Sequence, residues 1–183
     1  MRFEETPVSG AFLVVPEPIE DNRGFFARSF CAEAFAVRGF CTSFPQASIS
    51  YNKTRGTLRG MHFQKQPHGE VKLIRCTAGA VFDVLLDLRR ESPTYKRWFS
   101  IELSAANYRQ LYVPEGVAHG FQTLRDGSEM SYHISTAYVP EAQVGLRWND
   151  ESVGIAWPLP HQAIISERDR ALPDFATLEG MLG

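Results

Sequence analysis

The chain has 183 residues, 44% of them hydrophobic and 22% charged, with a formal net charge of −2. That length fits one domain, residues 1–183, with enough chain to bury a core. The near-neutral balance argues against nucleic acid or an anionic membrane as partner, and no apolar run reaches membrane-spanning length.

The first residues, Met1 to Glu5, lack the basic-then-apolar layout of a secretion signal. Cysteines are three and scattered, Cys31, Cys41 and Cys76. An odd set of this kind suits reduced thiols and a cytoplasmic location better than a disulfide framework. Residues 31–38 read as a short helix stopped by Gly39. From Gln46 to about Tyr138 the pattern changes to short β-rich runs between turn residues. The runs are Val71–Cys76, Ala80–Leu88, Trp98–Leu103, Arg109–Val113 and Glu129–Tyr138. Such spacing predicts an all-β sandwich or barrel rather than βαβ units. Gly79, Gly116, Gly120 and Gly127 fall at corners, as a jelly roll requires. From Pro173 the tail reads as one short helical turn packed outside.

Alternation along strands aims particular side chains. An unbroken strand over Glu129–Tyr138 puts Tyr132 and Tyr138 on one face, with Met130, Ile134 and Thr136. Lys72 shares a face with Ile74 and Cys76, so it either snorkels from a rim or enters a polar cavity. Arg59 and His62 have opposite parity, and a regular strand cannot aim both inward. Gly60 between them permits a bulge that re-aims one of the two. Asp83 and Asp87 sit on an apolar strand, so one of the two is open to contact with a site residue or a buried arginine, and the sequence does not choose between them.

Two motifs carry chemistry. Gly56–Gln64 reads GTLRGMHFQ, and Pro114–Phe121 reads PEGVAHGF. Together they resemble the paired motifs of a cupin barrel with one change: Gln64 stands where a metal-binding cupin usually has a second histidine. Neutral glutamine is a poor metal ligand. Without a metal, His62 and His119 are free for proton chemistry.

Further ordered blocks make the resemblance specific. They are Asp21–Phe26 (DNRGFF), Val71–Cys76 (VKLIRC), Val81–Arg89 (VFDVLLDLR), Tyr132, Tyr138–Pro140 (YVP), Arg147–Asp150 (RWND) and Ile165–Asp169 (ISERD). From Asp21 to about Pro173 the chain resembles the dTDP-4-dehydrorhamnose 3,5-epimerases and related nucleotide-sugar epimerases. The resemblance implies a cupin-type jelly-roll barrel with a few short peripheral helices. It implies metal-free, cofactor-free proton exchange at the carbons flanking the C4 ketone of a nucleotide-linked 4-keto-6-deoxyhexose. It assigns His62 as base, Asp169 as its carboxylate partner, Tyr132 as proton donor and Lys72 as the cation beside the C4 oxygen. Arg59 and His119 match substrate-binding positions, as do Gln46, Gln143 and Arg168, and Tyr138 matches an aromatic that stacks near the base. Arg23 and Phe26 match residues that reach the site from the neighbouring subunit of a homodimer.

Several departures bear on the substrate, and the two lost carboxylates, at Arg28 and Gln143, are associated with the nucleotide end. Arg28 and Gln143 replace common glutamates, Ser48 a common asparagine, His133 and Arg168 common lysines. The loop over 46–56 is one residue longer than the usual pattern. CDP- or GDP-linked sugars, and exchange at one carbon alone, therefore stay open. Two other classes stay open too. One is a metal-dependent cupin using His62, His119 and either Glu70 or His68. The other is a sugar-binding cupin without catalysis. Taken singly, each residue has a plainer reading: core histidines, strand tyrosines, rim cations, His68 in a loop, and Asp169 solvated within a charge run.

Overall fold

The computed structural model describes residues 1–182. Thirteen strands carry the fold. They are β1 (Arg2–Glu5), β2 (Phe12–Val15), β3 (Ile19–Asp21), β4 (Gly24–Phe26), β5 (Gln46–Asn52), β6 (Leu58–Gln64) and β7 (Lys72–Ala78). There follow β8 (Ala80–Asp87), β9 (Trp98–Ser104), β10 (Gln110–Val113), β11 (Val117–Thr123), β12 (Ser128–Ile134) and β13 (Gln143–Gly145). Three short helices, α1 (Ala32–Ala36), α2 (Glu167–Arg170) and α3 (Phe175–Met181), lie outside them.

The strands form two antiparallel sheets and a hairpin. One sheet runs β1-β2-β10-β7-β12-β5, the other β13-β6-β11-β8-β9, and β3 pairs with β4 alone. This is a jelly-roll sandwich with short peripheral helices. The two sheets do not join edge to edge into one hydrogen-bonded cylinder.

The core lies between the sheets. Leu13, Ile74, Cys76, Val81, Leu85, Leu111, Phe121 and Met130 pack there, all at most 5% exposed. Burial of such side chains is worth about 1.5–3 kcal/mol each. β8 is buried on both faces: Val84 and Leu86 point the other way, into a second cluster closed by Trp157, Phe175 and Leu178. That explains its nearly unbroken apolar run. Five-residue α1 has too few turns to stand alone. It is held by Phe35, which is fully buried against Val14, Leu73 and Tyr112 on the outer face of the six-stranded sheet.

Several expectations need adjusting. The strand expected over Glu129–Tyr138 ends at Ile134, where pairing with β5 and β7 stops. Tyr138 therefore lies in the connection beyond it, so strand parity is not what orients it. The helix expected over 31–38 spans 32–36 and closes through turns to Gly39, whose φ of +72° few other residues adopt. The tail forms a seven-residue helix, α3, rather than one turn, and its Asp174 cap accepts from the Thr177 N–H. The run around Asp169 is not merely solvated: it folds as α2, with Ser166 capping the Asp169 N–H and Asp169 itself buried.

Candidate active site

One end of the sandwich opens into a cavity of about 370 Å³. Nine of the residues singled out from the sequence line it: Arg59, His62, Lys72, His119, Tyr132, Tyr138, Gln143, Arg168 and Asp169. Three do not. Gln46 lies at the start of β5, two residues from cavity-lining Ser48. Arg23 and Phe26 sit on the β3–β4 hairpin, with the Arg23 side chain 85% and Phe26 73% exposed.

A bulge at Gly60 aims both Arg59 and His62 into the cavity. His119 pairs with His62 and Phe121 with Arg59, so two residues of β6 face one of β11. Gly60 takes φ +119°, and a Cβ there would fall 2.6 Å from the Gly120 Cα. Only glycine fits that turn of the chain. The same residue donates its N–H to Asp169 Oδ2 at 3.2 Å.

Asp169 Oδ1 lies 2.8 Å from His62 Nε2. Burial by itself raises the Asp169 carboxyl, but the hydrogen bond and charge of His62 outweigh it. With help from the Gly60 N–H and Arg168 they hold Asp169 below the ordinary carboxylate range. His62 is thus backed by an ionised carboxylate, with its side chain 25% exposed to the cavity.

A second histidine–aspartate pair lies beside it. His119 Nε2 is 2.9 Å from Asp83 Oδ2, and both residues are buried. Burial pushes the Asp83 carboxyl up, an effect that His119 and Lys72 only partly offset. Its other oxygen has no hydrogen-bond partner. Asp87 instead binds Arg89, Ser92 and Thr94. Asp83 thus contacts a site residue, one of the two partners weighed, while the arginine on Asp87 is only partly buried.

The His119 ring meets the ring of Tyr132 edge-on, with centroids 5.9 Å apart. Tyr132 points inward with Met130, as alternation requires, and packs against the central core. Burial first, then the nearby Asp83 charge, raises its hydroxyl well above the usual tyrosine range, against a smaller opposing pull from Arg59. The phenol is therefore neutral and able to donate. Lys72 Nζ is held 2.9 Å from Glu70 Oε1, both side chains 10% exposed. At the rim, Gln143 Oε1 accepts from the Tyr138 hydroxyl at 2.6 Å and from Arg168 Nη2 at 2.5 Å.

Among the described residues, no three His, Cys, Asp or Glu side chains cluster at metal-binding spacing. The groups a metal-dependent reading would recruit are committed elsewhere: His62 Nε2 to Asp169, His119 Nε2 to Asp83, Glu70 to Lys72. Sequence reasoning missed two positions in the site. Glu70 was weighed only as a metal ligand, and Gln64 only as an absent histidine. The pairing of Asp83 with His119 had a signal, an acid in an apolar strand, but no indication of its partner.

Comparison with known proteins shows the family. The model of the dTDP-4-dehydrorhamnose 3,5-epimerase family matches residues 5–177. The dTDP-4-dehydrorhamnose 3,5-epimerase of Salmonella typhimurium is 40% identical over 170 residues, covering 92% of each chain. A crystal structure of the Bacillus anthracis dTDP-4-dehydrorhamnose 3,5-epimerase, with TDP and pyrophosphate bound, superposes with a TM-score of 0.91. It is 41% identical and covers 95% of this chain and 99% of its own. A 3'-monoepimerase from Streptomyces bikiniensis, in complex with dTDP-quinovose, is 31% identical with a TM-score of 0.90. That match covers 97% of this chain and 90% of the other.

Proposed function

The chain belongs to the dTDP-4-dehydrorhamnose 3,5-epimerase family, and from that premise we propose how its residues carry the chemistry. It is an isomerase of nucleotide-linked sugars. Its substrate is a dTDP-linked 4-keto-6-deoxyhexose, inverted at C3 and C5 in deoxysugar biosynthesis. The observation that carries this reading is one cavity holding a carboxylate-backed imidazole, a neutral phenol and an ammonium: His62 on Asp169, Tyr132, and Lys72.

The C4 ketone makes the flanking C–H bonds acidic. His62 removes a proton, and Asp169 stabilises the imidazolium that results. With Nε2 donating to Asp169, Nδ1 is the basic nitrogen. Negative charge develops on the C4 oxygen, where the Lys72 ammonium stabilises it. Tyr132 then delivers its own proton to the opposite face of the ring, which inverts the carbon. Solvent afterwards restores the phenol proton and takes the one on His62. No step draws on a metal or redox cofactor.

The rest of the cavity suits the nucleotide. Arg59 and Arg168 are guanidinium groups fit for phosphate oxygens, and Tyr138 presents a half-exposed ring for a base. His119 and Gln143 complete the contacts of the sugar and the nucleotide, with Gln46 nearby. Arg23 and Phe26 serve the site of a second copy of the chain. Support for this comes from the β3–β4 hairpin, where Ile19 is 74% and Phe26 73% exposed. It comes also from β5, an edge strand with Ile49 and Tyr51 exposed. Apolar edges of this kind call for a partner. Residues 1–182 of the described chain share the two sheets and their covering clusters, which supports reading it as one domain. The three free cysteines suit a reducing cytoplasm.

The test is NMR of dTDP-4-keto-6-deoxyglucose with the protein in D2O. Deuterium is expected at both C3 and C5, with inversion. Binding without exchange at either carbon overturns the reading in favour of a sugar-binding protein. Exchange only in a CDP- or GDP-linked sugar reassigns the nucleotide.

A further inference from the structure

Gln64 is 2% exposed and fully engaged. Its amide oxygen accepts from the Val139 N–H at 2.7 Å. Its amino group faces the Ala137 carbonyl at 3.4 Å, the His68 carbonyl at 3.2 Å and Glu70 Oε2 at 3.3 Å. The other Glu70 oxygen holds Lys72 Nζ at 2.9 Å, and Lys72 also donates to the His62 carbonyl at 3.4 Å. One buried amide therefore ties the carboxylate under Lys72 to the segment that carries Tyr138.

We infer that Gln64 and Glu70 are positioning residues: Glu70 fixes the Lys72 ammonium at the C4 oxygen, and Gln64 couples that placement to the Tyr138 wall of the nucleotide subsite. This rests on the role of Lys72 under the proposed function. The physical reason is the length of lysine. Four rotatable bonds leave an ammonium poorly placed unless an anchor holds it, and misplacement by about 1 Å can cost on the order of 10²-fold in rate. A carboxylate supplies that anchor, and a carboxylate buried with one ammonium needs its other oxygen satisfied. Gln64 satisfies it with a neutral donor. A histidine at position 64 cannot donate to Glu70 while also accepting from Val139 and bonding two carbonyls, because it has only two ring nitrogens.

The experiment is a double-mutant cycle on deuterium exchange into the 4-keto sugar nucleotide, using Glu70→Gln, Lys72→Met and both together, with Gln64→Met alongside. Glu70→Gln is expected to lower kcat by about 10–100-fold, the range typical of lost outer-shell partners at metal sites, with KM little changed. In the Lys72→Met background the same change is expected to cost under twofold and to raise the melting temperature, because it removes a buried unpaired carboxylate. Gln64→Met is expected to lower kcat and raise KM together, since it loosens both ends. Full, multiplicative loss from Glu70→Gln in the Lys72→Met background overturns the inference, as does a KM unmoved in Gln64→Met. Wild-type exchange in Lys72→Met alone instead overturns the role of Lys72, which separates the two failures.

Discussion

His62 and Asp169 are 107 residues apart in the chain and 2.8 Å apart in the fold, and a single glycine amide braces their contact. The bulge at Gly60 turns His62 inward and points its own N–H at the carboxylate behind it. The proposed base is thus assembled from a strand irregularity and a four-residue helix capped by Ser166.

The first expectation concerns the base. His62→Ala removes the proposed proton acceptor from a cavity wall and little packing. Exchange at both carbons should fall by at least ~10²–10⁴-fold, the usual worth of a general base. Circular dichroism and the melting temperature should stay close to wild type. Near-normal exchange rules out His62 as the base.

Asp169→Asn keeps the shape and removes the charge. The rate should fall between about 10²- and 10⁴-fold, because the imidazolium loses its counter-charge and the imidazole its preferred tautomer. Stability carries a separate sign. The folded-state carboxyl is lowered from its ordinary value of 3.8. Its stabilising contribution is therefore present above that value and lost as pH falls through the lower folded one. The stability gap between wild type and Asp169→Asn, from urea unfolding, should shrink as pH falls below about 4, where the unfolded carboxyl takes up its proton before the folded one does. A gap that widens on acidification contradicts the pairing.

Gly60→Ala tests the bulge. An added Cβ would meet the Gly120 Cα at 2.6 Å in a conformation that strains any side chain. Overpacking of this kind costs typically about 1–3 kcal/mol. Turnover should fall as well, since the shift needed to relieve the clash moves Arg59, His62 and the Asp169 hydrogen bond together. Wild-type stability and turnover contradict the geometry.

Much of this site was legible before the fold. Period-two alternation placed Lys72 with Ile74 and Tyr132 with Met130, and both point inward. The parity conflict between Arg59 and His62 pointed to the bulge at Gly60, because glycine alone tolerates it. Contacts that join distant segments left no trace of that kind. Nothing local links Asp169 to position 62, and only the family resemblance paired them. Tyr138 escaped parity because β12 stops four residues earlier, and the next residue, Val139, donates its N–H to Gln64, a tertiary contact. Glu70 entered the sequence reading only as a candidate metal ligand, because nothing local shows that it pairs with Lys72. The buried Asp83 was conspicuous, yet its partner His119 comes from the adjacent strand, a register that the sequence does not state.

The most direct test of the two-sided mechanism is Tyr132→Phe, followed by NMR in D2O. In the proposed mechanism the phenol is the donor to one face and His62 the base on the other. Losing one hydroxyl leaves the base and the Lys72 site intact. The enolate should still form and be reprotonated from the side it came from. Deuterium should therefore enter the substrate with configuration retained, while net inversion falls by about 10²–10⁴-fold. Inversion at the wild-type rate in this variant contradicts the account.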